Sequence, residues 1–168
     1  RRRLASWLVV EASASSARAA EAVERAVHPY ETPGGRFATV GGFGDVLDAA
    51  ARERPGTGVA LAIRDDESTR SAVLDAWRTH GRAVHTALAD ATTGRYDGLL
   101  VVRVEACGPG RLGTVARLCR DFRSPEPVVL VVADEAAATA GTEAVGLDRT
   151  LAEAVEAVDV GGRSVGGS

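Results

Sequence analysis

Val59-Ala60-Leu61-Ala62-Ile63 is an unbroken apolar run, closed by Arg64-Asp65-Asp66-Glu67 and followed by Ser68 to Thr79, where Val73, Leu74 and Trp77 recur at helical spacing. A short apolar strand that ends on acids and feeds an amphipathic helix is the unit of a parallel sheet covered by helices. The unit recurs: Gly110 to Asp134-Glu135 repeats the order of Gly41 to Glu67, with glycine turn, amphipathic helix, apolar strand and acidic pair. Working outward, the pattern predicts strands at Trp7 to Val10, Arg36 to Val40, Val59 to Ile63, Ala83 to Leu88, Leu99 to Val104 and Val128 to Val132. It predicts helices at Ser16 to Val27, Phe43 to Glu53, Ser68 to Thr79, Leu112 to Phe122 and Thr150 to Val158. The expected fold is a doubly wound α/β domain with five or six mostly parallel strands and helices on both faces. Residues 1–57 are expected to form an N-terminal extension, 58–160 the main domain, and 161–168, rich in glycine and serine, a flexible tail.

Composition excludes several chemistries. The 168 residues contain no Lys, Asn, Gln or Met, and all 20 basic residues are Arg. A P-loop, a pyridoxal-phosphate Schiff base and a Ser-x-x-Lys hydrolase each require a lysine amine, so none of them is expected. With no methionine to begin it, the sequence is expected to be a piece of a longer chain. A formal net charge of −3 with scattered Arg offers no basic stripe for nucleic acid, and no apolar run reaches the length of a membrane span. No signal-peptide pattern is present, and a cytoplasmic location is expected. Cys107 and Cys119 are too few for a disulfide framework or a metal cluster, and His28, His80 and His85 lack paired-ligand spacing. No catalytic residue, metal or cofactor is therefore assigned.

Two constellations remain. Asp65 and Asp66 stand where the strand Val59 to Ile63 meets its helix, at the carboxyl edge where open α/β sheets bind ligands. Such carboxylates suit Mg²⁺; equally, one of them suits the helix as an N-cap. The second constellation, Gly108-Pro109-Gly110-Arg111-Leu112-Gly113, is a G-x-G-x-x-G directly after a strand and at the opening of a helix, with Asp134 at the end of the next strand. In a dinucleotide-binding unit Gly108, Gly110 and Gly113 would serve the turn, the approach of the pyrophosphate and the helix packing, and Asp134 the ribose.

Residues 58–158 resemble a response-regulator receiver domain, through Val59 to Ile63 with Asp65-Asp66-Glu67, Ser71 to Trp77, Ala83 to Leu88, Tyr96 to Val102 and Val128 to Ala133. Asp65 and Asp66 match the family's acidic pair. Arg103 or a near neighbour stands at its phosphoaccepting Asp, its Ser/Thr falls near Val132, and its lysine has no counterpart. The resemblance implies a pseudo-receiver without phosphorylation chemistry; as a physical corollary, Arg103, if it points into the crevice, is expected to pair with Asp65 and Asp66. Such a domain acts as a regulatory or interaction module of a signalling protein, with a protein partner or neighbouring domain and a possible homodimer. A weaker resemblance, to the catalytically silent structural subdomain of polyketide synthase ketoreductases, implies a structural role.

Overall fold

The computed structural model describes residues 2–13, 18–35, 37–64, 66–142, 146–147, 149–150 and 152–153. The chain divides into two compact units, Arg1–His85 and Thr86–Ser168. Its elements, in order, are α1 (Arg2–Ser13), α2 (Ala19–Val27), α3 (Val40–Glu53), α4 (Thr57–Ile63), α5 (Glu67–Asp90), β1 (Thr92–Tyr96), β2 (Leu99–Arg103), α6 (Pro109–Phe122), β3 (Val128–Val132) and β4 (Ala137–Gly141).

The first unit is helical, and here the expected parallel sheet is overturned. Val59 to Ile63 is not a strand but most of α4. Ala60 and Ala62 are strong helix formers. Gly56, in the left-handed conformation at φ 92°, starts the helix, a position a side chain would strain. Burial follows one helical face rather than alternating: Leu61 is 4% exposed and Thr57 and Gly58, a turn before it, are half-buried, whereas Ala62 and Ile63 are both exposed, as is Val59. Trp7 to Val10 lies within α1. The expected strand Arg36 to Val40 reduces to a single bridge, Glu31 to Thr39, and the Thr39 hydroxyl accepts from the Gly42 amide to cap α3. Ala83 to Leu88 continues α5, where Val73, Ala76, His80, Val84 and Ala87 are buried at a helical interval straight through Gly81. The core of this unit joins α3, α4 and α5 through Val46, Ala50, Leu61, Val73 and Ala76, with Phe37, Leu47 and Leu74 packed against it.

The second unit contains the sheet. Four strands lie in the order β1-β2-β3-β4, with β1–β2 and β3–β4 antiparallel and β2–β3 parallel. Among the described residues this is a four-stranded mixed sheet in a helix-rich chain, not a mostly parallel sheet of five or six strands. The outer strands were not expected: Thr92-Thr93-Gly94-Arg95-Tyr96 and Ala137-Ala138-Thr139-Ala140-Gly141 carry little apolar bulk and form by pairing with apolar neighbours. Gly98, at φ 75°, turns β1 into β2; its amide donates to Glu126, which also pairs with Arg95. The parallel pair needs a crossover, and α6 supplies it. On one face of the pair Leu100, Val102, Val129 and Val131 are buried, as are Leu112, Val115, Ala116 and Cys119 of α6, which lies against β3 and β4. Each such aliphatic side chain contributes roughly 1.5–3 kcal/mol on full burial. The expected helix Thr150 to Val158 lies mostly outside the described residues, as does the tail 161–168.

Candidate functional site

Among the described residues, the loop between β2 and α6 holds the one non-glycine residue with a positive φ. The Val104 amide donates to the Val132 carbonyl at 3.0 Å, carrying the parallel ladder one residue beyond β2. The chain then turns through Ala106, whose φ of 49° lies in the left-handed region. That conformation costs a non-glycine residue about 1–2 kcal/mol and persists only where its surroundings hold it. Val104 and Cys107, on either side, are both buried and supply that hold.

Gly108 is the N-cap of α6, at φ −62° and ψ 150°, with no side chain to accept from the helix amides. Pro109 occupies the first turn, where a missing N–H is harmless, and the Arg111 amide donates back to the Gly108 carbonyl at 2.9 Å. Gly108, Pro109 and Gly110 are exposed, whereas Gly113, further along α6, is half-buried between Leu112 and Thr114. A Cβ on Gly108 would meet nothing within 4 Å. The backbone there does not demand glycine; what glycine leaves is open space over the positive end of a helix, where anions bind.

The strand register places further residues beside this turn. Arg103, exposed, ends β2 opposite Val132, which ends β3. Beyond β3 the Ala133 amide donates to the Ala136 carbonyl at 2.8 Å, so exposed Asp134 and Glu135 form the tip of the β3–β4 hairpin. Asp134 thus sits in the tight turn that follows β3. Arg103, the Gly108–Gly110 turn and Asp134 all leave the carboxyl edge of the parallel pair.

The acidic constellation has a different setting. Asp65 lies outside the described residues. The Asp66 carboxylate accepts from the Thr69 amide and the Ser68 hydroxyl, both at 2.7 Å, and so caps α5. The Thr69 amide, then the Ser68 hydroxyl, with Arg64 adding a smaller attraction, hold its pKa at about 2, below the ordinary 3.8. The strand that gave the pair its place in a receiver-like crevice is helix α4. Asp66 belongs to the first unit and Arg103 to the second.

The remaining polar residues divide simply. His80, 6% exposed, meets Glu53 through Nδ1 at 3.0 Å, and His28 meets Glu24 at 3.3 Å. The Glu53–His80 pair could not be read from sequence, since 27 positions separate its members. Cys107 and Cys119 form no disulfide and are both buried, and burial pushes the Cys119 pKa up while the charge of Arg123 opposes it. Among the described residues no three His, Cys, Asp or Glu gather as a metal site, and no helix is long and apolar enough to cross a membrane.

Comparison with known proteins gives the second unit a counterpart. Residues 91–168 match the family model described as "Uncharacterized protein rrnAC1427, C-terminal domain", and the match begins just before β1. The chain is 52% identical over 147 residues to the uncharacterized protein rrnAC1427 of Haloarcula marismortui. That alignment covers 88% of this chain and 38% of the relative, so the chain spans little more than a third of the protein it resembles. No solved structure matches.

Proposed function

We propose that the second unit binds the diphosphate of a nucleotide, a dinucleotide being the best-fitting class, at the turn between β2 and α6. One observation carries the reading: the helix that links two parallel strands opens on Gly108-Pro109-Gly110 with an exposed N-terminus that no side chain caps. Backbone amides and the helix dipole there favour a phosphate, and the missing side chain at Gly108 leaves it room to approach. Arg103 and Asp134, at the same edge, are the groups to meet a second phosphate and a ribose hydroxyl. This reading takes the place of the receiver-like one because it rests on elements that are present, a strand, a turn and a crossover helix. The receiver-like reading leaned on strands at Val59 to Ile63 and Ala83 to Leu88, which are helical.

Thermal melting of the full chain with NAD(H), NADP(H), ATP and pyrophosphate tests it. Saturation at about a hundred times Kd stabilises a native state by roughly 2.7 kcal/mol, so a rise of several degrees is expected with a dinucleotide. The Asp134→Asn variant is expected to weaken the dinucleotide while leaving pyrophosphate unchanged. Inertness to all four compounds would refute the proposal.

A protein-interaction role for the first unit is a second reading, favoured by Val59 and Ile63 standing exposed on the same face of α4. Its partner would be another domain, another protein or a second copy of the chain. Sedimentation of wild type and of the doubly substituted Val59→Ser, Ile63→Ser protein tests the last case. A monomer at all concentrations in both would remove the homodimer.

A further inference from the structure

We propose that a cavity in the second unit, away from the Gly108 turn, binds a small aliphatic carboxylic acid, with the tail inside and the carboxylate on Arg123. The cavity holds about 400 Å³, within the ~300–1,000 Å³ usual for small-molecule sites. Leu88 from the end of α5, Leu100 and Val102 from β2, and Cys119 from α6 give it apolar walls, and Thr93 and Arg123 are its hydrogen-bonding side chains. Leu100, Val102 and Cys119 belong to the buried layer between sheet and helix, so the inner end of the tail would meet apolar side chains while the open mouth stays polar.

Arg123 gives the cavity its chemistry. Its Nη1 donates to the Leu88 carbonyl at 2.9 Å, which fixes the guanidinium against another lining residue. Among the described residues its Nε–Nη2 edge makes no hydrogen bond. That edge has the fork geometry that takes a carboxylate through two parallel bonds. The charge is close enough to the floor to act on the Cys119 sulfur against the larger effect of burial. Arg123 is also the C-cap of α6, so the negative end of the helix dipole lies at the same place. The general field there repels an anion, and attraction comes from direct contact with the guanidinium. Removal of Arg123 therefore abolishes or reverses the preference for an acid over a neutral analogue.

The test compares octanoate with octan-1-ol at pH 7, using the full chain in a Cys107→Ala background. Binding is followed by amide chemical shifts and by the rate at which a disulfide reagent modifies Cys119. Octanoate is expected to move the amides of Leu88, Val102 and Cys119, to slow Cys119 modification at least tenfold, and to bind at least tenfold more tightly than octan-1-ol. Arg123→Gln is expected to abolish or invert that ratio. Ala91→Phe, which adds bulk at the lining, is expected to weaken both compounds and keeps the proposal testable if Arg123→Gln does not fold. Unmoved amides at these three residues, equal binding of acid and alcohol, or an unchanged ratio in Arg123→Gln would each overturn it.

Discussion

Val59–Ile63 and Val128–Val132 are both five apolar residues long, and both are followed within a few positions by paired acids, yet the first is helix and the second a central strand. The difference lies in composition and in what each run touches. The second is Val-Val-Leu-Val-Val, four β-branched residues entered from Pro125 and Pro127, and it has strands paired on both sides. The first alternates with alanine, starts from a left-handed glycine, and has only one face to bury. An apolar run of this length does not choose its conformation by hydrophobicity. The choice comes from β-branching and from whether two faces or one can be covered.

The largest effect that can break this contrast is truncation of one valine in each run. Val129→Ala, in the strand at 0% exposure, is expected to cost about 2–3 kcal/mol in denaturant unfolding. Val59→Ala, on the exposed side of α4, is expected to fall within about 0.5 kcal/mol of wild type. Equal costs would mean that Val59–Ile63 is buried on both faces after all.

Backbone substitutions sharpen the contrast between the helical first unit and the strained loop of the second. Ala106→Gly relieves a left-handed conformation and is expected to stabilise the protein by about 1 kcal/mol. Gly81→Ala, inside α5 where a Cβ meets nothing within 4 Å, is expected to add roughly 0.5–1 kcal/mol. A loss of stability in either variant would contradict the backbone described for that segment.

The smallest effect concerns Asp66. Its carboxyl is held at about 2 in the fold against 3.8 ordinarily, so its contribution as a cap is complete above about pH 4 and fades as pH falls towards 2. The melting temperature of Asp66→Ala is expected to lie below that of wild type at pH 7, with the gap closing between pH 4 and pH 2. A gap that persists unchanged at pH 2 would exclude the ionised cap.

These contrasts also explain how much of the molecule was legible in its residues. The segment from β2 through α6 to β3 was readable, because β-branched runs and a glycine turn have few other conformations. Ala83 to Leu88 misled because Gly81 and His80 interrupt an apolar pattern that is continuous only when buried positions are counted at helical intervals. Strands β1 and β4 were illegible, since Gly94 or Ala140 has no strand preference until a neighbour provides the ladder. The capping option for Asp66 was legible from its place before Ser68 and Thr69. The positive φ of Ala106 was not, nor was the cavity, whose residues come from three separate stretches of chain.

Melting of wild type and Gly108→Val with and without a saturating dinucleotide bears most directly on the proposed phosphate site. At φ −62° and ψ 150°, with open space around the Cβ, valine is sterically acceptable, so the free proteins are expected to melt within a few degrees of each other. The dinucleotide is expected to raise the melting temperature of wild type by several degrees and that of Gly108→Val not at all. An equal rise in both proteins, or none in wild type, would contradict the account.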